Sequence, residues 1–152
     1  MTTTIPKYMA VQAAALLIAG VFIVIGVLGF IPGVTTDYEL LGWAGHHSGA
    51  KLFGVFAVSG LHNLLHLISG FVGFALARTY AAARAYFLGG GLVYLAIWLH
   101  GLFMDPGTRT NLLPVNGADN WLHFGIGASM VLLGLTLAGQ RDPTKRRRKT
   151  HT

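Results

Sequence analysis

The chain has 152 residues, 53% of them apolar and only 11% charged, with no cysteine and a mean hydropathy of +0.59. Soluble domains carry about 25% charge, so these values argue against a water-soluble domain and for lipid as the solvent of most of the surface, and the missing cysteine removes disulfide and thiolate chemistry. The net charge of +6 does not point to nucleic acid, because residues 141–152 hold Arg141, Lys145, Arg146, Arg147, Arg148 and Lys149 against Asp142, leaving the remainder nearly neutral.

Four windows lack Asp, Glu, Lys and Arg: residues 8–36, 52–77, 85–104 and 120–140. About 20 apolar residues cross a hydrocarbon core as a helix, and open sheet edges cannot be satisfied in lipid. The expected fold is therefore an all-α integral membrane protein, a bundle of four transmembrane helices at about 9–31, 50–77, 83–104 and 119–138. These form one domain, residues 1–140, followed by a basic cytoplasmic tail at 141–152 that is expected to be disordered.

The first window, apolar from Val11 to Ile31, exceeds a secretory h-region and reads as a retained span that ends at Pro32-Gly33. The connection that follows contains His46 and His47, with Ser48 as a candidate cap for the second helix. Asp105-Pro106-Gly107 closes the third helix, and Asp119 or Asn120 is positioned to cap the fourth. No repeat between the two halves is evident.

Basic residues sort to one side. Lys7, Arg78, Arg84 and the tail lie on one set of connections, while Asp37, Glu39, Asp105 and Asp119 outweigh Lys51 and Arg109 on the other. The positive-inside rule then predicts that both termini are cytoplasmic, with Trp43, Trp98 and Trp121 at the outer interface. The tail is placed to meet anionic headgroups.

Within the second span, Ser59, His62, Asn63 and His66 recur at helical spacing and form a polar seam that should face the bundle interior. His62 and His66 are the candidate cofactor ligands. Their His-x-x-x-His spacing lacks the glutamate of a zinc protease and the paired boxes of a desaturase. Counting 1.5 Å per residue separates an inner pair, His62 near the midplane and His66 deeper, from an outer set of His46, His47, His100, His123 and Asp119, the candidate metal ligands. Gly89-Gly90-Gly91 marks close helix packing or a bend.

The segments Leu28-Gly29-Phe30-Ile31-Pro32-Gly33, Gly45-His46-His47-Ser48-Gly49-Ala50-Lys51-Leu52, Leu61-His62-Asn63-Leu64-Leu65-His66-Leu67 and Ala118-Asp119-Asn120-Trp121-Leu122-His123 carry a resemblance. In that order, over roughly residues 10–138, the chain resembles a bacterial membrane family known as domain of unknown function 4383. The resemblance implies a small four-span membrane protein and supplies no activity. Its matched motifs nominate His46, His47, Lys51, His62, Asn63, His66, Asp119, Asn120 and His123 as residues to test.

The expected function is that of a noncatalytic accessory or scaffold subunit of a larger membrane complex, with the bilayer as its partner, no nucleic acid and no cofactor by default. Two alternatives stand beside it. One is a protein that binds haem or a divalent transition metal through histidine, and the other is a small channel or carrier lined by the seam.

Overall fold

The computed structural model describes residues 9–45, 47–103 and 112–137; His46, the turn at 105–107 and the tail at 141–152 lie outside the described residues. Four α-helices occur among the described residues: α1 (Ala10–Leu28), α2 (Gly60–Leu76), α3 (Tyr80–Phe103) and α4 (Gly117–Thr136). By length and composition α1 and α3 are long and apolar enough to cross a membrane, and α2 is a shorter apolar helix.

Three of these helices begin and end close to their expected bounds, but α2 starts ten residues after the expected residue 50. The intervening segment is a hairpin of β2 (Lys51–Leu52) and β3 (Phe56–Ala57), and β1 (Thr35–Thr36) pairs antiparallel with the outer edge of β2. Phe53 and Gly54 turn the hairpin with φ of +53° and +72°, a left-handed conformation incompatible with a continuing helix and readily adopted by glycine. The apolar run from Leu52 therefore contains two kinds of structure. Ser59, not Ser48, caps α2 by accepting from the His62 N–H at 3.1 Å. Ser48 instead accepts from the Gly42 N–H and donates to the Val58 carbonyl, tying the connection to the hairpin.

At the start of α4 the cap lies just before both expected candidates. The Asn116 side chain accepts from the Asp119 N–H at 3.0 Å, and Asp119 returns the interaction by accepting from the Asn116 N–H at 2.9 Å. This reciprocal pair is a capping box.

The principal packing is α1 on α2 and α3 on α4, giving two helical hairpins. Contrary to the expectation from sequence, they share one register. α1 buries Val11, Ala15, Ala19 and Phe22; α3 buries Ala83, Phe87, Gly91 and Tyr94, each 72 positions later (Val11 to Ala83). α2 buries His62, His66, Gly70 and Gly73, and α4 buries Asp119, His123, Gly127 and Met130, each 57 positions later (His66 to His123). The contacts repeat too. A Cβ on Gly70 would lie 2.8 Å from the Ala19 carbonyl oxygen, and one on Gly127 would lie 2.9 Å from that of Gly91. The equivalent rings of Phe22 and Tyr94 stack at 5.2 Å with 4° between their planes, locating an approximate two-fold axis between the hairpins.

Burial on α2 is the reverse of a soluble amphipathic helix. Its inward face is Gly60, His62, Asn63, His66, Gly70 and Gly73, whereas Leu64, Leu65, Ile68, Phe71, Val72 and Phe74 point outward and are exposed.

Candidate histidine pocket

At the end of the bundle where α1 and α3 finish and α2 and α4 begin, three imidazoles meet. The His62 ring lies 4.8 Å from that of His66 and 5.6 Å from that of His123, centroid to centroid. Phe22 stands 5.8 Å from His66 and Tyr94 stands 5.7 Å from His123, a symmetric pair of contacts under the two-fold relation. All three histidines are buried, as are Ser59 and Asn63, so the seam on α2 faces inward.

The separation into an inner pair and an outer set is corrected by this geometry. It followed from counting depth along a helix that began at residue 50. With α2 starting at Gly60, His62 lies about 15 Å nearer the helix N-terminus than that count placed it, within ring contact of His123. His123 consequently joins His62 and His66. Among the described residues no three of His, Asp or Glu are grouped to hold a metal ion. His47 is exposed in the connection and His100 lies half-buried on α3, while His46 falls outside the described residues.

Asp119 has a different task. Besides capping α4, its Oδ2 accepts from the Ala57 N–H at 2.9 Å, and the Asn116 Nδ2 donates to the Val55 carbonyl at 2.7 Å. Together they fasten the β2–β3 hairpin to the start of α4, over the histidines.

Hydrogen bonding fixes the proton position on His66, and the backbone beside His62 favours one tautomer there. The His66 Nδ1 lies 3.1 Å from the His62 carbonyl, an oxygen that can only accept, so Nδ1 carries the proton and Nε2 keeps its lone pair. The His62 ring faces the Ala57 backbone. Its Nδ1 has no partner and the Ala57 N–H is already given to Asp119, so the carbonyl is the Ala57 group open to the ring and favours the proton on Nε2. His62 Nδ1 is thus a buried lone pair without a donor, and His123 Nδ1 is likewise unpartnered. Unmatched polar atoms of this kind are expensive away from water.

The histidines line a pocket of about 160 Å³ roofed by Leu52, Phe53, Phe56 and Val58 and walled by Ile25, Asp119 and Leu122. Ordinary small-molecule sites occupy about 300–1,000 Å³, so a haem does not fit here, whereas a small polar head does.

Two asparagines hold the surrounding helices. A Cβ on Gly29 would collide with the Asn63 amide and one on Gly101 with that of Asn120, and Asn120 Nδ2 donates to the Gly101 carbonyl at 3.0 Å. Asn116, Phe22 and Tyr94 are site residues the sequence reading passed over. A signal for them existed: Ser59-Gly60-Leu61-His62-Asn63-Leu64-Leu65-His66 aligns with Asn116-Gly117-Ala118-Asp119-Asn120-Trp121-Leu122-His123, keeping the cap, the glycine, the asparagine and the last histidine in phase.

The family model described as Domain of unknown function (DUF4383) matches residues 12–136, which contain all but the first two residues of the helical hairpins and every residue of the pocket. No curated protein and no solved structure matches the chain.

Proposed function

Because the chain belongs to the DUF4383 family, whose description names no activity, we propose its function from geometry: a four-span integral membrane protein acting as a noncatalytic accessory or scaffold subunit. The observation that carries the membrane reading is the inverted burial of α2, with imidazoles and amides inside and leucine and phenylalanine outside. In water such a face would be unfavourable by roughly 25 cal/mol per Å² of exposed apolar surface, and in lipid that penalty vanishes. All four helices then span, both termini lie on the cytoplasmic side of a bacterial plasma membrane, and the histidine pocket opens at the outer end. Single cysteines placed at Thr36 and Thr79 test this topology. An impermeant maleimide should label the first in intact cells and the second only after lysis; the reverse pattern, or labelling of both in intact cells, overturns it. The subunit role predicts a partner that co-purifies in gentle detergent, and a chain that remains alone and monomeric would count against it.

A second reading is favoured by the unpartnered Nδ1 atoms of His62 and His123: the pocket binds a small ligand. A channel or carrier has less support, since beyond His66 the axis is filled by Phe22, Tyr94, Phe87 and Met130. Spectra and metal analysis of the purified protein address the remaining cofactor alternatives; a stoichiometric metal or a Soret band would replace the ligand reading with a cofactor one.

A further inference from the structure

The two hairpins leave two lateral clefts between them, and the register shared by the halves makes these clefts equivalent. One lies between α1 and α4 and measures about 370 Å³; the other lies between α2 and α3 and measures about 300 Å³. Val21 and Leu133 line the first where Val93 and Leu76 line the second. Each is large enough for part of a lipid-sized molecule.

The clefts differ at one end. The α1–α4 cleft shares Ile25 and Leu122 with the histidine pocket, whereas the α2–α3 cleft shares no lining residue with it. An apolar body lying between α1 and α4 therefore ends beside the imidazoles. There it meets His62, 95% buried, whose Nδ1 lone pair has no donor. With the proton on Nε2, toward the Ala57 carbonyl, Nδ1 is a bare lone pair and the group that satisfies it is a hydrogen-bond donor. A carbonyl or ether oxygen cannot serve, and a hydroxyl can.

We propose that the α1–α4 cleft and the histidine pocket form one site for a lipid-soluble alcohol, its chain in the cleft and its hydroxyl donated to His62 Nδ1. The site rests on the four-span reading, which makes the cleft open to the bilayer. Entry is lateral, between α1 and α4, and the β2–β3 hairpin closes the pocket toward the connection. A phospholipid acyl chain carries no donor along its length, so a hydroxyl on the body lying in the cleft distinguishes the ligand from such a chain.

The glycines of the clefts provide the test. A Cβ on Gly125 in the α1–α4 cleft, or on Gly89 in the α2–α3 cleft, meets nothing within 4 Å, so a phenylalanine at either position is accepted by its helix. The probe is geranylgeraniol, titrated into the full-length protein in detergent while the fluorescence of Trp121, which lines the cleft, is followed. The wild-type protein is expected to bind it saturably, Gly89→Phe to bind it equally, and Gly125→Phe to lose binding. The methyl ether of the same alcohol, and His62→Phe with the alcohol, should each bind about tenfold more weakly, the worth of one hydrogen bond to a buried acceptor. Equal binding of alcohol and ether, or equal loss in the two phenylalanine variants, overturns the proposal. If the cysteine labelling upholds four spans while the alcohol fails to bind, this inference falls and the topology stands; if the labelling fails, the topology falls first.

Discussion

The two helical hairpins use one packing register for different ends. α1–α2 and α3–α4 bury the same positions, close on the same glycine-to-carbonyl contacts and each place an asparagine against a glycine at the C-terminal end of the preceding helix. Their side chains differ at many of these positions, and one difference falls in the pocket. The first hairpin carries a small sheet and has His62 where the second has Asp119. Packing is thus a property of the repeat, and the candidate chemistry comes from where the repeat is broken: one half supplies an imidazole and the other a carboxylate that fastens the first half's sheet above it.

The sharpest way to break this comparison is to strike both halves at the shared contact. Gly70→Leu and Gly127→Leu each force a side chain against a helix carbonyl, and each should cost about 3 kcal/mol or more by overpacking. Thermal melts in detergent should find the two losses similar; a variant that melts like wild type would show that its half does not depend on the contact.

Next comes the point where the halves differ. Asp119→Ala frees the N–H groups of both Ala57 and Asn116 and should cost about 2 kcal/mol, with faster hydrogen exchange at Ala57. His62→Ala, at the equivalent position, keeps that carboxylate and should speed exchange at Ala57 much less.

A smaller difference separates the asparagines. Asn120→Ala loses a bond to the Gly101 carbonyl, whereas Asn63 Nδ2 has no partner to lose. Chemical or thermal unfolding should therefore show Asn120→Ala less stable than Asn63→Ala by about 1 kcal/mol. The smallest effect is expected at the sheet. Gly54→Ala strains a left-handed residue and should cost about 1 kcal/mol, felt as local exchange in the hairpin with α3 and α4 unchanged.

Helix content was legible because charge-free runs and their periodicity are local properties. The inward face of α2 was legible for the same reason: Ser59, His62, Asn63 and His66 share a face at any helical register. The start of α2 was not. Leu52 to Val58 is as apolar as a helix, and only the turn at Phe53-Gly54 and the pairing with Thr35-Thr36 reveal strands. That one boundary carried the depth of His62 with it, and so divided a single cluster into two. The two-fold register was present in the letters from Ser59 to His66 and Asn116 to His123, but the substitution of His62 by Asp119 and the unequal connections obscure it.

By itself, the sequence determined that four apolar segments become helices and that the polar face of α2 turns inward, because burial preference and backbone hydrogen bonding are set residue by residue. Only the tertiary structure decided which histidines meet, that Asp119 fastens a sheet, and which cleft reaches the imidazoles. Those outcomes depend on how far each helix slides along its neighbour, and that is set by glycine contacts between segments distant in the chain.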